Sequence, residues 1–340
     1  MRKCRILSKE CNALTYESGF MQSHIERTET LCGYLIQYWS MFRLYSTFVS
    51  NDDPGKDDRK LSFDFLPKKP NLEVEILAVA DTGLVFCKSP DPKEQHQHYI
   101  CKPTTRQWEL MRSPDRYYTA RKIAVSVLKS NPLCFKIVWV SHDIEASGHC
   151  KIFDSTTWTW KRLHNLKLGK YEFFDSADGV STQGRWHWIT RRTTYKIRSF
   201  HLDKESWESN SVPKSCNYTA SYLIKLAKLE GKLAVISQRR IDAELLEIWT
   251  MDSYRTKYWS KKYTIGFGDP KKGIGSFTAM SFYNADTLLM LDDDNRAMFY
   301  DFKKGQITRL ITLDKEFECL WSVSFVHTDY EPIQMRKKLL

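Results

Sequence analysis

Three short clusters in this sequence hold residue types that bind ions or phosphates in other settings. The glycine-rich run GFGDPKKGIG (266–275) puts Gly268 and Gly273 at the separation used by a phosphate-cradling loop. Such a loop then needs Lys followed by Ser or Thr, to reach the phosphates and a magnesium ion. Ile274 and Gly275 stand in those places, between strand-like segments, so the run reads as a connecting loop. His96 and His98, with Cys87 and Cys101 nearby, are zinc-ligand types without the tight paired spacing that makes ligands converge. Gln95-His96-Gln97-His98 reads instead as a polar hairpin tip. Asp292-Asp293-Asp294-Asn295 begins like a calcium loop but lacks its glycine and distal glutamate, and reads as a turn between LLML and AMFY. His149-Cys150 sits at a strand start, and no G-x-S-x-G or H-E-x-x-H motif is present. No metal, no cofactor and no catalytic residue is therefore expected, and the chain is not read as an enzyme.

Charge and cysteine usage narrow the setting. The formal net charge is +11, which raises the question of nucleic acid. The basic residues are spread along the chain as doublets such as Arg191-Arg192, Arg239-Arg240 and Lys261-Lys262, with no nucleic-acid reader motif beside them. Nucleic acid is not the expected partner; a diffuse basic surface suits an acidic one. Nine cysteines, odd in number and without a C-x-x-C pair, point to reduced thiols, hence to cytoplasm and/or nucleus. No secretory signal is read at the start, and GYLIQYWSMFRLYSTFV (33–49) is too polar, and broken by Arg43, to span a bilayer.

The elements that carry these residues repeat. Anchored on its last bulky residue, one phrase reads YICKPTTRQW (99–108), KIFDSTTWTW (151–160), RSFHLDKESW (198–207), EIWTMDSYRTKYW (247–259) and AMFYDFKKGQI (297–307). The anchors Trp108, Trp160, Trp207, Trp259 and Ile307 are 47 to 52 positions apart. In each phrase an apolar stretch precedes a cluster of turn residues, and the anchor opens the next strand: a β-hairpin. A second turn precedes an apolar run upstream of each: Asp81-Thr82-Gly83, Asn131-Pro132, Gln183-Gly184, Glu230-Gly231 and Asn284-Ala285-Asp286. Two hairpins per unit of about 50 residues make four-stranded units, the mark of a kelch-like β-propeller. Five blades are legible. A sixth is expected from strands near 33–49 or 61–66, closed by Trp321 to Phe325. The aromatic stripe, part of a 14% aromatic content, is read as packing rather than a ligand cage.

The first 30 residues differ in kind. Apolar residues at 4, 6, 7, 11 and 14 have helical spacing, and a second helical piece is read over 18–24. KCRILSKECNALTYESGFMQSHIER (3–27) resembles the C-terminal half of a plant F-box, through Cys4, Arg5, Ser8, Lys9, Leu14, Phe20 and His24. The family's two preceding helices have no counterpart before the Cys-Arg pair, and its usual Trp is Cys11. The resemblance continues through CKPTTRQW (101–108), FDSTTWTWKRL (153–163), GVSTQGRWHWI (179–189), LEGKLAVIS (229–237) and YDFKKGQI (300–307), which are similar to the F-box-associated β-propeller region.

The resemblance implies a substrate-recognition subunit of an SCF-type ubiquitin ligase, whose catalytic cysteine belongs to other subunits. A Skp-type adaptor would dock on the partial F-box through Cys4, Arg5, Ile6, Leu7, Ser8, Lys9 and Leu14. A target protein would bind the propeller, with 142–149, 191–194 and 266–275 as candidate surfaces. The competing readings are a protein-binding propeller without adaptor docking and a propeller enzyme. The expected organisation is an all-β, kelch-like β-propeller of five to six blades over 31–333, preceded by a short helical F-box remnant over 1–30 and followed by a disordered tail over 334–340.

Overall fold

The computed structural model describes residues 11, 30–51, 61–67, 72–89, 97–112, 114, 120–130, 132–142, 147–164, 166–175, 178–217, 219–239, 245–267, 277–313 and 318–334. The helical readings over 4–14 and 18–24 lie outside them, except for Cys11, and Thr30, at the end of the expected remnant, opens the first strand. The chain divides into two compact units, one spanning Thr28–Lys170 with Phe317–Leu340 and the other including Tyr171–Glu316. Among the described residues every sheet is antiparallel.

The first unit holds strands β1 (Thr30–Ser40), β2 (Arg43–Val49), β3 (Glu75–Val79), β4 (Val85–Lys88), β5 (His98–Lys102), β6 (Gln107–Met111), β7 (Ala120–Lys129), β8 (Cys134–His142), β9 (Ser147–Asp154), β10 (Thr159–Arg162) and β11 (Leu166–Lys167). Strands β3 to β6 make one blade in chain order, and β7 to β10 a second, with β11 also on β9. The second unit holds β12 (Phe173–Phe174), β13 (Val180–Thr182), β14 (Arg185–Arg191), β15 (Tyr195–His201), β16 (Ser206–Ser211), β17 (Tyr222–Leu229), β18 (Lys232–Arg239), β19 (Leu245–Ser253), β20 (Tyr258–Gly266), β21 (Phe277–Phe282), β22 (Thr287–Asp292), β23 (Arg296–Asp301) and β24 (Gln306–Thr312). They form three more blades: β12/β13–β14–β15–β16, β17–β20 and β21–β24. A last strand, β25 (Cys319–Asp329), returns to the first unit and pairs with β1, giving a sheet β2–β1–β25. This is the all-β, blade-built class expected of a kelch-like β-propeller, with six blades. The sixth is made from both ends of the chain. Its strands are those near 33–49, closed by β25; residues 61–66 form a turn instead, whose Phe63 and Leu66 are buried.

Every repeated phrase is the third-to-fourth-strand hairpin of its blade, as the turn chemistry required. Two residues before each anchor the backbone turns left-handed, at Arg106, Trp158, Glu205, Lys257 and Gly305, with φ of 56°, 58°, 47°, 54° and 68°. A tight turn closed by such a residue lets two twisted strands resume pairing. The anchors are partly buried rather than core residues. Two of them tie neighbouring blades: Trp160 Nε1 donates to the Arg112 carbonyl at 3.1 Å, and Trp259 Nε1 to the Ser211 carbonyl at 3.0 Å, each 48 residues back.

Blades pack face to face through apolar clusters. In the first unit, Phe86, Ile100 and Met111 meet Phe135, Ile137 and Phe153. Leu35 and Val326 of the sixth blade share a cluster with Ile76, Val85 and Tyr99. In the second unit, Ile197 and Val212 meet Leu226 and Val235, and Leu246 and Ile248 meet Leu288 and Met290. Two buried glutamines cross such seams. Gln37 donates to the Val74 carbonyl and accepts from the Ile76 amide, both at 2.8 Å, and Gln238 donates to the Phe277 carbonyl at 3.1 Å.

Residues 329–333, at the end of and just after β25, are clasped to the β5–β6 hairpin. The buried Lys102 ammonium bonds Asp329 and also the Glu331 carbonyl at 2.6 Å. The Thr104 hydroxyl donates to the Asp329 carbonyl at 2.8 Å, and the Gln107 side chain both donates to and accepts from the Ile333 backbone at 2.8 Å. Under the same strand lies Gly83, at φ +76°, where an added Cβ would stand 2.3 Å from the Thr328 Cβ; Gly184, at φ +72°, has open space around it. Gly184→Ala is expected to cost about 1–2 kcal/mol, the left-handed backbone alone. Gly83→Ala should cost roughly 1–3 kcal/mol more, because Thr328 must also move. Urea midpoints of the two variants test the difference, and equal losses would mean that β25 yields freely at this contact.

Candidate recognition surface

Of the loops expected to carry recognition, 191–194 is fully described and joins β14 to β15. Its neighbours explain its shape. Glu172, just before β12, is buried; it accepts two bonds from Arg198, at 2.9 and 2.6 Å, and one from the Thr190 hydroxyl at 2.5 Å. Lys196 stands 3.9 Å away. Side chains alternate along extended backbone. Fixing Glu172 inward therefore turns Phe173 outward, 48% exposed; Tyr171, in the turn before it, is 67% exposed. Tyr171 is itself held at φ +62°.

The β12–β14 register sets Phe173 opposite Arg191. The Arg191 guanidinium lies 5.2 Å from the Phe173 ring centre, and that of Arg192 lies 5.5 Å from Tyr171, both within cation–π range. Arg191 also stands 3.3 Å from Asp175. The loop backbone is tied down, since the Thr219 amide donates to the Thr193 carbonyl at 3.3 Å and the Thr219 hydroxyl to the Arg192 carbonyl at 3.1 Å. Tyr195, which follows, donates its amide to Asn217 and its hydroxyl to the Tyr222 carbonyl at 3.0 Å. Beneath the patch, burial pushes the Lys225 ammonium below its usual pKa; Asp175 and Asp178 oppose that and Arg191 adds to it. The result is two outward aromatics, each under an arginine, on a backbone pinned from below.

The other end of the same blade holds a constellation that no local sequence pattern announced. His187 Nε2 is 3.0 Å from both the Thr182 and Tyr254 hydroxyls, which are 2.5 Å from each other. His187 Nδ1 is 2.8 Å from Ser199 Oγ, and Asn210 donates to that same oxygen at 3.1 Å. Tyr254, from the β19–β20 turn, stacks on the His187 ring at 13°, and the Arg185 guanidinium lies over Tyr254 at 4.4 Å. Beyond it Arg185 reaches His201, and His201 reaches Glu208 at 3.0 Å. A histidine beside a serine has the distances of a base and nucleophile. Here both are 0% exposed, so no substrate reaches them. The cluster is a lock between two blades.

The other sequence-expected sites resolve less fully. His98 packs against Phe86 at 5.5 Å and Trp139 at 5.6 Å, and Cys87 and Cys101 are buried on adjacent strands; His96 lies outside the described residues. Asp292 turns its chain by accepting from the Asp294 and Arg296 amides, at 3.1 and 2.8 Å, and pairs with the Arg296 side chain at 2.7 Å. Among the described residues no group of three or more His, Cys, Asp or Glu is placed to hold a metal ion. Of 142–149, residues 143–146 lie outside the described set, as do 268–275 of the glycine-rich loop. Phe267, at the start of that loop, is wedged between Phe277 at 4.5 Å and Tyr300 at 4.9 Å. Cys4, Arg5, Ile6, Leu7, Ser8, Lys9 and Leu14 all lie outside the described residues. One apolar tip was not foreseen: Met41 and Phe42 form the β1–β2 turn at φ 46° and 61°, and are 80% and 93% exposed.

Neutral His187 predicts a pH dependence. Burial, with the Arg185 charge nearby, holds its pKa down to about 3. Its folded pKa is below the unfolded value of about 6.5, so its contribution is complete above that value and shrinks as pH falls. Unfolding free energy should drop by up to about 1.4 kcal/mol per pH unit between roughly 6.5 and 4.5, before carboxylates titrate. His187→Gln should flatten that stretch of the denaturation-midpoint curve; an unchanged slope would place the proton uptake elsewhere.

Comparison with known proteins bears on what such a surface serves. The sequence pattern of a family described as the F-box associated beta propeller domain matches residues 36–333. The F-box protein At5g41720 of Arabidopsis thaliana is 35% identical over 150 residues, 42% of this chain and 77% of that one. The F-box/LRR-repeat protein At2g43260 of the same plant is 26% identical over 180 residues, covering 52% of this chain and 41% of that protein. The F-box protein CPR1, also from Arabidopsis thaliana, is 21% identical over 343 residues, covering 91% and 79%.

Proposed function

This chain belongs to the F-box associated beta-propeller family, and from that premise we propose that it is a substrate-recognition subunit of an SCF-type ubiquitin ligase. The observation that carries the reading is the family match over 36–333, six blades' worth of sequence, together with relatives that are themselves F-box proteins. In this reading the propeller holds a target protein. Residues Cys4, Arg5, Ile6, Leu7, Ser8, Lys9 and Leu14 contribute to docking a Skp-type adaptor. The chemistry of ubiquitin transfer belongs to other subunits, and this chain supplies placement.

The described residues suit that role. The polar group that most resembles catalytic machinery, His187 with Ser199, is sealed inside a blade, whereas the arginine-capped aromatics are outside. Binding residues on loops held by a rigid scaffold are the usual arrangement for recognition. No helix among the described residues is long and apolar enough to cross a membrane. The site of action in this reading is the cytoplasm, the nucleus or both.

Pull-down of a purified Skp-type adaptor by the full chain tests the reading. Capture is expected, and the double variant Ile6→Asp, Leu7→Asp should lose it by about tenfold or more, as for truncation of apolar hot-spot contacts. Absence of capture by the unaltered chain, with its propeller intact by circular dichroism and cooperative unfolding, would overturn the adaptor-docking role.

A further inference from the structure

We propose that the patch of Tyr171, Phe173, Arg191 and Arg192 docks an acidic segment of the target protein, one in which Asp or Glu flanks a large apolar residue. The inference rests on the substrate-recognition reading and names the chemistry of its substrate.

Charge complementarity carries it. Around the patch stand five cations, Arg191, Arg192, Lys196, Arg198 and Lys225, against three carboxylates, Glu172, Asp175 and Asp178. The carboxylates are already engaged. Glu172 is taken by Arg198 and Thr190, Asp175 stands beside Arg191, and Asp178 faces Lys225. Arg192 is exposed, and among the described residues it has no carboxylate within ion-pair distance. A guanidinium lying over a ring keeps its N–H edges for an incoming anion, and its planar fork suits a carboxylate.

The apolar half of the ligand follows from Tyr171 and Phe173. Aromatics and arginine are the residue types that dominate interface hot spots, and aromatics bury large area with only two rotors to freeze. Here the ordering is done in advance. Glu172 fixes the strand, Tyr171 sits in a left-handed backbone conformation, and Thr219 holds the loop. The cost of arranging the surface falls on folding rather than on binding. Glu172 is thus a positioning residue: it touches no ligand and sets which way Phe173 points.

Selection of phage-displayed random peptides on the purified full chain tests the proposal. Enriched peptides are expected to carry Asp or Glu beside an aromatic or large aliphatic residue. Arg192→Glu and Phe173→Ser should each weaken a selected peptide by about tenfold or more, and rising salt should weaken it further. Both residues are exposed, so thermal unfolding and adaptor capture should stay unchanged in these variants. Glu172→Gln, which removes no contact residue but releases the orientation of Phe173, should also weaken the peptide. Peptides without acidic residues, or equal binding to wild type and Arg192→Glu, would overturn the proposal. Single-stranded RNA that binds wild type in preference to the peptides and is lost in Arg192→Glu would overturn it in favour of a nucleic-acid site. Adaptor capture separates the two readings: its failure with peptide binding intact removes the ligase assignment and leaves the docking surface.

Discussion

Blade packing requires each inner sheet to be covered on both faces, and most of the sequence answers to that requirement. A strand with apolar neighbours above and below has no solvent side, so its residues run apolar without alternation. The second strands show this: β14 is buried over Trp186–Thr190, and all six residues of β22 are buried. The fourth strands lie at the rim of each sheet and alternate or stay exposed, as in β6 and β24. The anchoring tryptophans belong to this rim, and two of them, Trp160 and Trp259, spend their indole N–H on the neighbouring blade.

Polar groups placed inside such a stack fix which blade surface meets which. An apolar seam tolerates small slips; a buried amide or imidazole does not, because losing its partner leaves a desolvated donor or acceptor. Gln37 and Gln238 reach the first strand of the next blade, and His187 with Thr182 reaches Tyr254 in the same manner. Glu172 works along a blade rather than across a seam. Removing one member of its buried ion pair would strand the other, which accounts for the firmness of the edge it holds.

The repeat was legible because its turns are chemically explicit. Asp154 accepts from Thr156, Asp301 from Lys303 and Lys304, and Gly83, Gly184 and Gly231 occupy left-handed positions after their first strands. The left-handed position before each anchor was not legible, since Arg, Trp, Glu, Lys and Gly share it and only glycine announces it. The loop at 191–194 was legible from its position between strands, without its aromatic partners. Tyr171 and Phe173 precede it by about 20 residues and meet it only because the first strand of that blade is split into β12 and β13. The His187 cluster draws on four strands and a neighbouring turn, and no linear pattern joins Thr182, Ser199, Asn210 and Tyr254.

The closing strand also sets an order of events at the ribosome. β1 and β2 are synthesised before the other blades, yet β25, the second partner of β1, follows the 278 residues from Met41 to Glu318. At about 5–20 residues per second, that interval is roughly 15–60 seconds. Throughout it Tyr34, Leu35, Ile36 and Tyr38, buried in the finished blade, lack the strand that covers them. A chain that stops between Thr312 and Cys319 has five blades and an unclosed apolar hairpin, the kind of edge on which chaperones act and aggregates grow. Closure of the propeller is thus read out in β25.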